Sequence, residues 1–389
     1  MGDRAALIRL GVMLACAAAL GGCIFAPSSS PVGPAPRAAA TPSTTAPRLP
    51  ALETRHFDLV TADQELIGAT QLLFAKHENT LPGIAREYNV GFEEIKNANP
   101  NVDIWLPGEG TPIYLPTAGL LPDVPREGIV INIASMRLLY YTTYRETTAT
   151  GVTERLAVTS HPVGIGRQDW ATPLGVTTVK DKAVDPVWYP PASVRAEHQA
   201  KGDPLPSVVL AGPDNPLGAF ALTLTLPGYL IHGTNMPAGV GMRASHGCIR
   251  MYPEDIEGLF KRVARGTPVR IVDEPVLAGW QDDVLYLEVH PPLAEDHRDV
   301  AAEADRVIAA ALARKGQVGV VVDAGAVAQI VAEKRGLPFP VLASTPRPAD
   351  YLANARIVEN TAPLSTVEDT SIEAATVAAE SVETTARAD

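Results

Sequence analysis

Cys248 stands in the run Ser245-His246-Gly247-Cys248-Ile249-Arg250, and a second histidine, His232 of Ile231-His232-Gly233-Thr234, lies sixteen residues earlier. A thiol within a short loop of two imidazoles suits acyl transfer, because imidazole takes the thiol proton and only the thiolate attacks carbonyls well. The product of that attack is a thioester, which an amine or water then resolves. His232 is the expected base: it ends the apolar stretch Tyr229 to Ile231, a rigid support, and the Gly233 carbonyl beside it can hold the ring tautomer. His246, two residues before the sulfur on a tight turn, either tunes the thiolate by its charge or braces the loop through a hydrogen bond.

Gly247 permits a sharp turn, so the amides of Gly247 and Cys248 are expected to face one point and form an oxyanion hole. Arg250 offers a planar fork for a substrate carboxylate, with a surface ion pair to Glu254 or Asp255 as the alternative. Ser245 is assigned to substrate binding or to a hydrogen bond within the turn. Tyr229 and Trp188 serve as pocket walls or as core. His56, His77, His161, His198, His290 and His297 form no constellation. A zinc site of Cys248, His246 and His232 has only three ligands and no paired-cysteine motif, so no metal is expected. Without a phosphate-cradling glycine loop, no cofactor is expected either.

These residues need short rigid elements to hold them. Ile129 to Ile133, Met136 to Thr143, Leu156 to Val158, Thr177 to Lys180, Ala219 to Thr225 and Val269 to Val272 read as strands rich in Val, Ile, Thr and Tyr, with Gly and Pro between them. Pro253 opens an amphipathic helix with Ile256, Leu259, Phe260 and Val263 at helical spacing, and Gly266 ends it. A mainly β catalytic domain over residues 127–273 follows. Ahead of it, residues 68–116 read as strand, helix, helix, strand: Gln71 to Ala75, Leu81 to Tyr88, Phe92 to Asn99, Pro112 to Leu115. Residues 274–300 form an extension. Residues 301–389 are an Ala-, Thr- and Glu-rich tail, partly disordered, with a helix at Val300 to Ala313 and a short folded piece around Val318 to Ile330.

The chain has 389 residues, a formal net charge of −12, 46% hydrophobic and 20% charged residues. That length allows two or three domains, and the acidic balance argues against a nucleic-acid surface. Arg4 and Arg9 flank an apolar run that ends in Leu20-Gly21-Gly22-Cys23, an export signal over residues 1–22 rather than a membrane span. Residues 23–67, crowded with Pro, Ser, Thr and Ala through Pro50, read as a flexible linker. Of three cysteines, Cys16 leaves with the signal, and Cys248 is left without a partner in an oxidising compartment. An unpaired exported thiol points to chemistry.

The elements His232-Gly233-Thr234 and Ser245-His246-Gly247-Cys248 with Arg250 resemble the signature of the YkuD-type L,D-transpeptidases. The likeness continues through Asn215-Pro216-Leu217-Gly218, Leu226 to Ile231 and Pro125 to Asn132, so it spans roughly residues 120 to 293. In total arrangement the chain is similar to the ErfK/YbiS/YcfS/YnhG-like periplasmic branch, which carries a small α+β LysM-like module before the catalytic domain. The segment 68–116 resembles that module, although Asn79-Thr80-Leu81 stands where Asp-Thr-Leu is usual. Glycan binding or a purely structural spacer are its two readings, and Trp105 either stacks on a sugar or plugs the join.

The resemblance implies a β-sandwich catalytic domain that acts on peptidoglycan. There Cys248 attacks a tetrapeptide stem, His232 moves the proton and the Gly233 carbonyl orients it. The acceptor is the side-chain amine of a diamino acid, giving a 3→3 cross-link, or a lysine of an envelope lipoprotein. Water as acceptor would make the enzyme an L,D-carboxypeptidase, and a non-catalytic wall-binding lipoprotein is the rival from another class. Carbapenem-type β-lactams are expected to acylate the thiol. Leu20 to Cys23 resembles a lipobox, which implies lipidation at Cys23 and, with Ile24 following, a periplasmic enzyme anchored to the outer membrane.

Overall fold

Alternation of branched and polar residues builds one mixed nine-stranded sheet, in the order His56–Leu59, Gly151–Pro162, Arg137–Thr148, Gly128–Asn132, Pro268–Val272, Gly175–Val184, Phe220–Leu224, Leu230–His232, Ile249–Arg250. Neighbours are antiparallel except two pairs: Gly128–Asn132 with Pro268–Val272, and Leu230–His232 with Ile249–Arg250. The computed structural model describes residues 48–61, 63–148, 151–316 and 319–364, which belong to one compact unit. The export signal, Cys23 and residues 365–389 of the tail lie outside the described residues. No helix among the described residues is long and apolar enough to cross a membrane.

Period-two alternation sends each strand's side chains to two faces. Ile129, Ile131 and Leu138 enter the same buried cluster as Leu222, Ile231 and Ile249 from the far end of the sheet, so the sheet curls around one core. Val130, Leu139, Tyr141 and Val158 face the other way and meet Leu59, Ile67 and Leu121. The architecture is mainly β. The helix Pro253–Arg262 plugs the first core with Ile256 and Leu259. Pro253 at its first turn, acidic Glu254 and Asp255 after it, and Lys261 and Arg262 at its end all suit the helix dipole. It closes at Arg262 rather than at Gly266; Gly266, at φ +84°, instead turns the chain into Pro268–Val272.

Two expectations are corrected here. Residues 48–61 and 63–67 are not linker: His56–Leu59 is an edge strand of the main sheet, and Leu66–Gly68 pairs with Ala118–Leu120. Leu59 and Ile67 are buried, and that apolar contact outweighs the polar composition around them. Nor is the chain a tail from 301 on, because residues 301–316 and 319–364 are folded. The hairpin Val276–Gln281 with Val284–Val289 gains a third strand, Phe339–Pro340. Helices Val300–Lys315 and Ala324–Glu333 begin at Asp299 and Asp323, whose carboxylates accept the first amides. Ala304, Ile308 and Ala311 lie on one face and pack with Trp280, Leu285 and Phe339. Alanine-rich composition reads as low complexity, yet at helical spacing it lets a helix sit close on a sheet.

Strands Gln71–Phe74 and Pro112–Leu115 pair antiparallel, with helices Leu81–Glu87 and Phe92–Ala98 between them in sequence. The late strand Arg356–Ile357 runs parallel to Gln71–Phe74 and closes the edge of this small sheet. Buried polar groups weld the segment to the main sheet. Asn89, at φ +59°, donates to the Thr54 and Ser160 carbonyls, each at 2.8 Å. Arg137 grips Glu94 at 2.6 Å and the Asn89 carbonyl at 2.9 Å.

Candidate active site

The parallel pair at the sheet's edge brings the two sequence elements together. Ile231 is the partner of Ile249 and His232 of Arg250. Ile231 and Ile249 point into the core, so by strand alternation His232, Arg250 and the preceding Cys248 share the opposite face.

His232 is buried, and its Nδ1–H donates to the Gly233 carbonyl at 2.6 Å. A carbonyl only accepts, so this bond fixes the tautomer and leaves Nε2 as the acceptor. Burial, with the Arg250 cation beside it, pushes the imidazole down to about 3 despite the Gly233 bond. Cys248 is a free, partly exposed thiol whose Sγ lies 3.7 Å from the Gly228 carbonyl. Burial raises it above the ordinary thiol value, although the Leu230 amide and Arg250 favour the thiolate. Both shifts favour the neutral thiol and neutral imidazole over an ion pair.

The turn before the sulfur is held from three sides. Ser245 is buried; its Oγ accepts from the Gly247 amide at 3.1 Å and donates to the Cys248 carbonyl at 2.6 Å. Thr172 Oγ1 accepts from the Gly166 amide at 2.9 Å and donates to the Gly247 carbonyl at 3.0 Å. Gly247 sits at φ +99°, and a Cβ there would come within 2.9 Å of Tyr229 Cε1. Two assignments change as a result. The Gly247 amide points into the turn and not at a substrate oxygen, and the Ser245 hydroxyl is spent inside the turn rather than on substrate.

Gly247→Ala is expected to cost about 1–3 kcal/mol of stability through backbone strain. By shifting the sulfur it should also slow acylation by about 100-fold. Thermal melts and acylation kinetics read the two effects; a variant unchanged in both would contradict this account of the turn.

Arg250 makes no ion pair among the described residues. Glu254 pairs with Arg86 at 3.2 Å, and Asp255 faces Arg55 at 3.4 Å and His161 at 3.1 Å. The buried Arg250 Nε has no hydrogen-bond partner. A cation left this way on the face of His232 and Cys248 is suited to an anionic ligand. His246 turns to the helix Ala192–Ala200, where its Nε2 lies 3.2 Å from Glu197 Oε2, and Trp170 meets the ring edge-on at 5.1 Å. Among the described residues no group of three His, Cys, Asp or Glu side chains is placed to hold a metal. Trp188 and Val209 exchange backbone hydrogen bonds at 2.9 Å within the excursion that carries that helix.

Gly166, Thr172, Trp170 and Glu197 were not singled out from sequence. Gly166 leaves no room for a side chain, since a Cβ there would lie 2.0 Å from the Trp170 carbonyl, a contact between segments that residue type alone does not reveal.

Comparison with known proteins gives the family. The family profile YkuD, L,D-transpeptidase catalytic domain, matches residues 126–271. The chain is 43% identical over 240 residues to the probable L,D-transpeptidase YcfS of Escherichia coli (strain K12), covering 60% of this chain and 72% of that protein. It is 44% identical over 242 residues to the probable L,D-transpeptidase YbiS of the same strain, covering 61% and 76%. It is also 38% identical over 288 residues to the probable L,D-transpeptidase ErfK/SrfK of Salmonella typhimurium, covering 72% and 89%. The chain belongs to the YkuD family of L,D-transpeptidases, enzymes that act on peptidoglycan stem peptides. Among solved structures, the catalytic domain of the Enterococcus faecium L,D-transpeptidase is 21% identical, covering 39% of this chain and 99% of that one, with a TM-score of 0.27. L,D-transpeptidase 3 from Mycobacterium tuberculosis, in complex with a faropenem-derived adduct, is 19% identical, covering 42% and 75%, with a TM-score of 0.26.

Proposed function

We propose that Cys248 is the nucleophile of a peptidoglycan L,D-transpeptidase and His232 its proton carrier. The observation that carries this is the parallel register of Leu230–His232 with Ile249–Arg250, which sets the two side chains on one face with His232 Nε2 unprotonated. Nε2 takes the thiol proton as Sγ bonds to the carbonyl carbon of the third stem residue. The C–N bond to the terminal D-alanine then breaks, and that amine leaves with the proton from His232. An incoming amine next gives its proton to His232 and bonds to the thioester carbon; Sγ leaves and recovers the proton. The Cys248 amide stabilises the carbonyl oxygen as charge develops there.

The acceptor is an amine, either of a diamino acid side chain or of a lipoprotein lysine. Mass analysis of muropeptides after incubation with the enzyme tests the reaction. Cross-linked dimers or peptide-bearing lipoprotein support transfer and name the acceptor, trimmed monomers alone point to carboxypeptidase activity, and an unchanged pool removes the catalytic reading.

Arg250 binds a stem carboxylate, a role supported by its buried, unpartnered Nε. A charge-assisted hydrogen bond contributes about 1.5–3 kcal/mol. Arg250→Gln should therefore raise KM for a donor with free carboxylates by about 10- to 100-fold and hardly affect the amidated donor. Equal losses on both donors would contradict the assignment.

The enzyme is placed in the periplasm with Cys23 as its lipid anchor, a reading that rests on Leu20-Gly21-Gly22-Cys23. The strand, helix, helix, strand order of residues 71–115 supports a LysM-like module that holds glycan near the site.

A further inference from the structure

Between strands Gly175–Val184 and Phe220–Leu224 the chain makes an excursion that returns to its own base, where the Asp185 amide meets the Ala219 carbonyl at 2.8 Å. The buried Asn215 side chain, donating to the Pro186 carbonyl at 2.8 Å, ties it internally. Its helix Ala192–Ala200 reaches the nucleophile's turn through Glu197 and His198.

Four links close a ring around that turn. The Arg167 amide donates to the Ser245 carbonyl at 3.1 Å. Ser245 is bonded to His246, whose Nε2–H donates to Glu197 at 3.2 Å. Glu197 in turn grips the Arg167 guanidinium, and Lys201 holds its other oxygen at 2.8 Å. Trp170 packs edge-on against the imidazole at 5.1 Å, and the His198 ring lies 6.1 Å away. His246 immediately precedes Gly247, the residue with φ +99° that aims the sulfur. Rotation of the imidazole is thus transmitted to the turn.

We infer that Glu197 is the positioning residue of the nucleophile: acting through His246, its carboxylate locks the turn that presents Cys248 to the stem peptide. This rests on Cys248 being the nucleophile. The lock needs Glu197 as a carboxylate. Burial opposes ionisation of Glu197, but Arg167 and Lys201 outweigh it and hold the carboxyl at about 2. Burial and the Arg167 cation keep the His246 imidazole below its ordinary value; because a carboxylate only accepts, the ring hydrogen facing Glu197 sits on Nε2.

A double-mutant cycle tests the inference. Glu197→Ala, His246→Ala and the double variant are compared for acylation of the full chain by a carbapenem and by a tetrapeptide donor. Glu197→Ala should slow acylation by about 10- to 100-fold, yet by less than about 2-fold further in the His246→Ala background, because both act through one contact. Glu197→Gln keeps an oxygen for Nε2–H and should recover most of the rate. Alkylation of Cys248 by iodoacetamide, which needs no aimed approach, should stay within about 2-fold of wild type and so guards against misfolding. An equal loss from Glu197→Ala in both backgrounds, or none in either, overturns the inference. Acylation that survives Cys248→Ala would instead remove the nucleophile on which it rests.

Discussion

Cys248→Ala should abolish acyl transfer, with a fall on the order of 10⁶-fold in turnover, the size seen when a nucleophile is removed from an acyl-transfer site. No other described cysteine exists to replace it. The groups bonded to the sulfur, the Gly228 carbonyl and the Leu230 amide, form no acyl intermediate. The fold should tolerate the change, because the turn is held by Ser245, Thr172 and Gly247 and not by the sulfur. A normal melting temperature with no turnover is the expected pair of results. Product formed at the wild-type rate would contradict the assignment.

His232→Ala should cost about four orders of magnitude, since a general base contributes up to about that much. The wild-type pH profile carries the sharper test. Neutral His232 is the active form, and its value is depressed from 6.5 to about 3. A depressed histidine stays unprotonated as pH falls, so the rate of carbapenem acylation should hold from pH 8 down to about 4 and drop only as pH approaches 3. The thiol, raised by burial, stays protonated across the same range. A limb centred near the ordinary imidazole value would contradict a buried neutral base and favour a preformed thiolate–imidazolium pair.

Much of this site could be read from the chain because its parts are local. The strand ending at His232, the glycine whose carbonyl holds it, the turn at Gly247 and the helix opened by Pro253 are each written within a few residues. What the sequence left open was direction. A glycine turn at 247 follows from residue type, but whether its amide faces substrate or Ser245 depends on the packing of Tyr229 and Thr172 against it. Contacts between distant segments were equally hidden: Glu197 lies 49 residues from His246, and Thr172 lies 75 from Gly247. Residues 301–364 misled for another reason. Their alanines suggested a tail, while Ala304, Ile308 and Ala311 supply the flat face that the hairpin with Trp280 covers. Polar composition likewise hid the edge strand His56–Leu59, since one buried leucine and backbone pairing suffice to hold it.

Intact-protein mass spectrometry after brief mixing with a tetrapeptide donor tests the central claim most directly. The account predicts a single adduct equal to the donor less its terminal D-alanine, mapped to Cys248 and absent from Cys248→Ala. An adduct on another residue, or cross-linked product accumulating while Cys248 is blocked by alkylation, would contradict it.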